Sequence, residues 1–397
     1  MQEIVASFLK IGATAYGGPA IMGVMQAEFQ EKRQWVSKPR FLEGLSLVNV
    51  LPGATAVQLA IFLGYERGGW WGGLLAGLCF AAPGFLVMLA LALTYATLGV
   101  SPILKGALYG LGPVVVAIFI VALFRLGRSA LRAVPHHLIA AGAAALAFSS
   151  PLGTVAILLL AGGVGLFLFH GKRTGAIVLL VLAVALALMP IVTWSPLGPL
   201  TAIGASPRLG SVIALFSTIG AFTFGGGLSM IALMDEHLVN RLHWLSSEEF
   251  IAGLALGQLT PGPVLMVAAY VGYKLLGGGG AVVAAAAAFL PSFVLMLAIL
   301  PAFDRVRKLA WTKAFIQGVA PGVIGVMAVL LGRLVPQAAP DPLAIAVLVL
   351  TVAALLLWRL APLKAMAAGA ALGIVRSRLC ELSALRAVVC GVSVWGR

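Results

Sequence analysis

Charge is what this 397-residue chain has least of: Asp, Glu, Lys and Arg together make up 10% of it. Soluble domains carry about 25%, so a large water-facing fold is excluded. Acid is the scarcer sign, 12 residues against 26 bases, for a net charge of +14. Cysteine is nearly absent. Cys79, Cys380 and Cys390 share no metal-ligand spacing, so neither a disulfide framework nor a zinc site is implied. There is no P-loop, HExxH, GxSxG or dinucleotide fingerprint after a strand, and neither catalysis, a cofactor nor a metal is expected. Strictly alternating apolar runs are missing, which argues against a β-barrel. No charged n-region with a small-residue cleavage site precedes Gly12, so insertion is expected to follow from the helices themselves.

What is present is apolar. Hydrophobic residues make up 61% of the chain and the mean hydropathy is +1.09. Runs of about 20 apolar residues recur, enough to span a core of about 30 Å as helix. The fold class is therefore an all-α polytopic membrane protein, with the lipid bilayer as its partner. The excess of Lys and Arg fits loops on the cytoplasmic side rather than nucleic-acid binding. Trp35, Trp70, Trp71, Trp194, Trp244, Trp311 and Trp358 fall near segment ends and read as interface anchors.

The chain also repeats itself. Phe8, Gly12 and Ala13 return as Phe216, Gly220 and Ala221, a spacing of 208. Ser37, Phe41, Gly44, Pro52 and Gly53 return 209 positions on, as Ser246, Phe250, Gly253, Pro261 and Gly262. Gly64, Pro83, Lys105, Gly110, Pro113 and Arg125 match Gly272, Pro291, Lys313, Gly318, Pro321 and Arg333. Glycines, prolines and cations set backbone shape and charge, and a twofold repeat of broken apolar segments is a transporter architecture. The boundaries read as a first repeat over 1–134, connecting helices over 135–210, a second repeat over 211–335, and C-terminal helices with a divergent tail over 336–397.

Loop charge alternates between equivalent positions. Loop 28–43 holds Lys32, Arg33, Lys38 and Arg40, whereas 235–248 holds only Arg241. Segment 125–136 holds Arg125, Arg128 and Arg132, whereas 333–340 holds only Arg333. The halves are then inverted relative to each other. Loops 28–43 and 125–136 share a side although three apolar segments separate them, so one segment must turn back. The candidate is 44–65, broken at Leu51-Pro52-Gly53, with its twin 249–274 broken at Thr260-Pro261-Gly262-Pro263. The same parity applies to 4–27, interrupted by Gly17-Gly18-Pro19, and to 211–234, interrupted by Gly225-Gly226-Gly227.

These breaks carry the candidate binding residues. A helix restarting after Tyr16, Gly17 and Gly18, or after Gly225, Gly226 and Gly227, presents free N–H groups and a positive dipole end to an anion. Tight helix packing through small residues is the competing reading. Asn49, Pro52, Gly53, Thr55 and Gln58, and in the matching stretch of the second half Gln258, Thr260, Pro261 and Gly262, supply neutral amides and hydroxyls beside a broken helix. They can hold an oxyanion or satisfy backbone freed by proline. Lys10 and Lys274 lie next to the breaks and are the candidate substrate cations. Lys105, Lys313, Arg125 and Arg333 are better read as snorkelling to the interface. Glu28, Glu31, Asp235 and Glu236 could carry protons, although loop salt bridges or gates are the plainer role.

Tyr16-Gly17-Gly18-Pro19, the stretch ending at Trp35, Leu51-Pro52-Gly53, Gln58-Leu59-Ala60-Ile61, Gly64-Tyr65, Phe224-Gly225-Gly226-Gly227, Trp244 and Thr260-Pro261-Gly262-Pro263 together resemble the long, two-domain form of the chromate ion transporter family. The resemblance implies a bacterial inner-membrane protein that exports chromate and confers chromate resistance, with sulfate as a competitor. Two departures stand out. Ala20-Ile21-Met22 lies where many members carry a histidine nearby, and Ala54 closes a Pro-Gly-Ala where Pro-Gly-Pro is common. The residues alone reach a transporter of a small anion. A sulfate carrier, an anion channel and a homodimer stay open.

Overall fold

The computed structural model describes residues 1–16, 18–98, 101–150, 152–188, 207–224, 227–302, 310–358 and 360–382. The described residues form helices and connecting turns. In the first half these are α1 (Gln2–Thr14), α2 (Gly18–Met25), α3 (Lys38–Val50), α4 (Thr55–Leu98), α5 (Pro102–Ala130), α6 (Val134–Ser149) and α7 (Thr154–Phe169). After α8 (Lys172–Leu188) come α9 (Leu209–Ala221), α10 (Leu228–Met234), α11 (Ser247–Leu259), α12 (Val267–Ile299), α13 (Ala310–Ala338), α14 (Pro342–Leu357) and α15 (Pro362–Leu382). The offset read in the sequence sets the boundaries: Lys38 and Ser247 lie 209 apart, and Val134 and Pro342, like Thr154 and Pro362, lie 208 apart. Local chemistry fixes several starts. Ser37 and Ser101 accept the amides of Arg40 and Leu104, and each is followed by proline in the first turn. Ser246 and Glu249 form a reciprocal capping box at the head of α11.

Both halves begin with two helical hairpins. Glu3 pairs with Arg33 at 2.9 Å and Phe8 stacks on Phe29 at 4.7 Å, so α1 runs antiparallel to α2 and the π-helical turn Gln26–Lys32 that continues it. Arg40 meets Glu66 at 2.8 Å and Gly44 lies against the Phe62 ring, which folds the first arm of α4 back onto α3. The 13-residue α3 is about 20 Å long, short of the roughly 30 Å hydrocarbon core. In the second half Glu249 meets Lys274 at 2.6 Å and Gly253 lies against Tyr270, the same hairpin from α11 and α12. The π-helical turn is duplicated too, as Asp235–Arg241 after α10.

Among the described residues, four helical stretches are long and apolar enough to cross a membrane: Thr55–Thr97, Ile103–Ala130, Val264–Ala302 and Trp311–Ala338. The first and third are bent back on themselves. The backbone leaves the helix at Gly68–Gly69 and at Leu276–Gly277, where Gly69 and Gly277 take φ of 62° and 69°. Ile61 thereby comes to lie against Gly73 and Gly77. The long second arms of α4 and α12 then pack together, with Gly73 against Leu297 and Gly77 against Phe293. That order is antiparallel. Each arm leaves from the base of its own half's hairpins, so the two sets of hairpins enter from opposite faces: the repeats are inverted.

The flanks are exchanged between halves. Helix α5 packs on α14 and α15, while α13 packs on α6 and α7. Small residues allow the approach, Gly106 and Gly110 meeting Gly369 and Gly373 backbone to backbone, and Gly318 meeting Ala161 and Gly165. Arg125 donates to the Leu355 carbonyl at 3.0 Å and Arg333 to the Ala147 carbonyl at 3.3 Å. These matched cations cap helix ends of the exchanged partner.

Candidate functional site

The breaks of the two halves meet. The Gly53 amide donates to the Thr223 carbonyl at 2.7 Å, and the Gly262 amide donates to the Ala15 carbonyl at 2.9 Å. Gly53 and Gly262 are 209 apart and Ala15 and Thr223 are 208 apart, so one contact is the other under the internal twofold. The tip of the second hairpin in each half is thus held by the end of the first helix in the opposite half. Both glycines need positive φ, 127° at Gly53 and 91° at Gly262, a region that penalises a Cβ. At Gly53 a Cβ would also lie 2.5 Å from Gln58 Nε2 and Ser292 Oγ. Protein partners thus satisfy the Gly53 and Gly262 amides where the helices are broken.

Helices α2, α4 and α10 begin at these tips, at Gly18, Thr55 and Leu228. The first amides of a helix have no intrahelical acceptor and carry the positive end of the dipole. Thr55 and Thr260 are buried there, 7% and 4% exposed. Thr260 donates to Leu256, closing the end of α11, at 2.8 Å. Gln58 is fully buried. Its Nε2 donates to the Pro52 carbonyl at 2.6 Å, while its Oε1 has no hydrogen-bond partner. Gly227 turns the chain into α10 with φ of 99°.

Ser292 is the residue that sequence reasoning missed. Fully buried, it accepts the Ala54 amide at 2.8 Å. The twofold counterpart of Ala54 is Pro263, which has no amide to satisfy, and the counterpart of Ser292 is Gly84. A side chain at Gly84 would meet the Pro261 carbonyl at 2.5 Å. The Pro-Gly-Ala departure is therefore compensated within the chain, and the signal was the Ser-for-Gly exchange at spacing 208.

Asn49 and Lys274 do not contribute to the tips. Asn49 is exposed and donates to Leu45 of its own helix at 2.8 Å, so its amide does not turn inward. Lys274 is engaged by Glu249 at the hairpin base, where the first half uses Arg40 and Glu66 with the signs reversed. Lys10 sits on an exposed stretch of α1, one turn before the tip, and Tyr16 is 39% exposed. Gln258 is half-buried near the end of α11. Gly17, Gly225 and Gly226 lie outside the described residues, as do residues 383–397 of the divergent tail. Among the described residues no cluster of His, Cys, Asp or Glu is arranged to hold a metal.

The sequence matches the chromate transporter family twice, over residues 2–166 and 210–374. The second match takes in α14 and most of α15, as the first takes in α6 and most of α7. A probable chromate transport protein of Synechococcus elongatus is 31% identical over 84% of this chain and 85% of its own. A chromate transport protein of Cupriavidus metallidurans is 31% identical over 94% of this chain and 92% of its own. One of Pseudomonas aeruginosa is 32% identical over 82% and 79%. No solved structure matches.

Proposed function

The chain belongs to the chromate transporter family, and from that premise we propose that it exports chromate from the cytoplasm across a bacterial inner membrane and so confers chromate resistance. The observation that carries this reading is the pair of matched hydrogen bonds, Gly53 to Thr223 and Gly262 to Ala15, which gathers helix starts from both halves at one depth. Neutral donors suit a desolvated tetrahedral dianion. They compensate its charge without a buried cation that would bind it too tightly to release. The candidate first contacts are the amides opening α2, α4 and α10, with Thr55, Gln58 and Thr260 around them and Lys10 toward the entrance.

Inverted hairpins give the transport step. Tips approached from opposite faces need only small opposed movements to expose the centre to one side and then the other. With the cell interior negative, expelling a dianion gains about 2.3 kcal/mol per charge per 100 mV, so export runs electrically downhill. Sulfate, similar in shape, is expected to compete.

The test is chromate accumulation in chromate-sensitive bacteria expressing this chain, against Gly53→Val of equal membrane abundance. Lower accumulation than in the variant supports export. Higher accumulation reverses the direction, and no difference withdraws chromate as the substrate.

A further inference from the structure

A cavity of about 200 Å³ lies between the π-helical turn after α10, the α6–α7 connection and α13. Its polar lining includes Ser150, Thr154, Asp235, Glu236, Asn240 and Arg333. It sits where α6 ends. Helix α6 starts just past Arg132 and spans 16 residues, about 24 Å, so the cavity faces away from the Arg-rich 125–136 turn.

The fold accounts for most of its charges. Arg333 caps Ala147 as its twin Arg125 caps Leu355. Glu236 accepts the Thr154 amide at 2.7 Å and lies 3.1 Å from Arg241, holding the start of α7. In the other half Pro362 stands where Thr154 does, with no amide to cap, and Ala27 stands where Glu236 does. That carboxylate and that amide come and go together.

Asp235 is left over. It is 6% exposed and accepts from Asn240 Nδ2 at 2.7 Å. Among the described residues no cation lies within ion-pair distance of it. Its counterpart is Gln26, and the π-helical turn forms equally well there, so the fold does not require a charge at this position. A carboxylate buried without a paired cation is costly, so its retention here points to a role beyond the fold.

We propose that Asp235 is a proton-binding site coupled to anion movement, loaded through this cavity. The charged groups facing it are Arg333 from α13 and Glu236 and Arg241 from its own turn. The α6 and α7 lining contributes only Ser150, Thr154 and apolar side chains. Asp235 rides on the second arm of the hairpin whose tip carbonyl, Thr223, holds the Gly53 amide. As a carboxylate it is attracted to Arg333 and keeps this arm against the flanking helices. Taking up one proton makes it a neutral acid and releases that attraction, freeing the arm and with it the tip. No bond other than the O–H forms or breaks.

The coupling rests on the transport reading above, whereas protonation of Asp235 does not. The full chain is reconstituted in phosphatidylethanolamine–phosphatidylglycerol vesicles and titrated by infrared difference spectroscopy. A protonated-carboxyl band is expected in the wild type and lost in Asp235→Asn, and in Asn240→Ala its midpoint moves to higher pH because a hydrogen bond to the charged form is gone. A band that persists in Asp235→Asn, or no band at all, overturns the site. In the same vesicles an outward chromate gradient is expected to acidify the lumen of wild-type vesicles, and Asp235→Asn to pass chromate without acidification. Equal acidification in both overturns the coupling. Absence of chromate flux in the wild type strikes the transport reading and leaves the band to decide the site.

Discussion

Replacing Ser292 by alanine removes the acceptor of the Ala54 amide and nothing else of consequence at the Gly53 tip. The 2.8 Å bond joins two buried groups, so the amide is left without a partner or solvent. That costs about 1–3 kcal/mol, and the tip whose position defines the site loosens. The second half shows the remedy: Pro263 has no amide and faces Gly84. Ala54→Pro in the Ser292→Ala background removes the orphaned donor, and the preceding Gly53 already has the positive φ that Gly262 has before Pro263. The assay is a double-mutant cycle on unfolding free energy in detergent, with chromate flux alongside. The double variant is expected to be about 1–2 kcal/mol more stable than the sum of the singles predicts. Additivity within about 0.5 kcal/mol would refute the compensation argument.

The hairpin-base pairs predict a tolerated reversal. Arg40→Glu with Glu66→Arg recreates the arrangement of Glu249 and Lys274, and should recover most of the roughly 0.5–1 kcal/mol lost by either single change, measured as melting temperature. Lys274→Ala is expected to lower stability by a similar amount with little change in the KM for chromate, whereas Lys10→Ala raises that KM. Gly110→Leu drives a side chain into the Gly369 carbonyl and is expected to abolish accumulation of folded protein, read by size-exclusion of the fluorescently tagged chain. Asp341 caps α14 outside the spans. Burial alone would raise its pKa, but the Tyr109 hydroxyl, the Ala344 amide and Arg376 hold it below the usual carboxylate range. Its stabilisation is therefore present above about pH 4 and lost as pH falls below that. Asp341→Asn should flatten this acid limb of the stability profile.

Much of the architecture was legible because the residues that repeat are those that dictate backbone shape. Pro52-Gly53 and Pro261-Gly262 located the hairpin tips, and the Lys and Arg counts required segments that turn back. The exchange of α5 and α13 was not legible. Gly106, Gly110, Gly369 and Gly373 mark close packing, but a glycine stripe does not say which helix it meets. Lys274 looked like a substrate cation because its partner Glu249 lies 25 positions away, across a hairpin whose register depends on Tyr270 and Gly253. Asn49 is next to the break in sequence but faces outward, a matter of about 100° per residue that a broken helix leaves unset. Asp235 was singled out with three other acids, and pairing separates it from them: Glu28 meets Arg33, Glu236 meets Arg241 and the Thr154 amide, and Glu31 is exposed.

Transport itself is read from chromate efflux out of vesicles loaded with chromate and containing the purified chain, with and without chromate outside. Saturable efflux is expected, accelerated by external chromate and abolished in Gly53→Val while the variant remains folded. Efflux no faster than from protein-free vesicles, or wild-type rates in Gly53→Val, would contradict it.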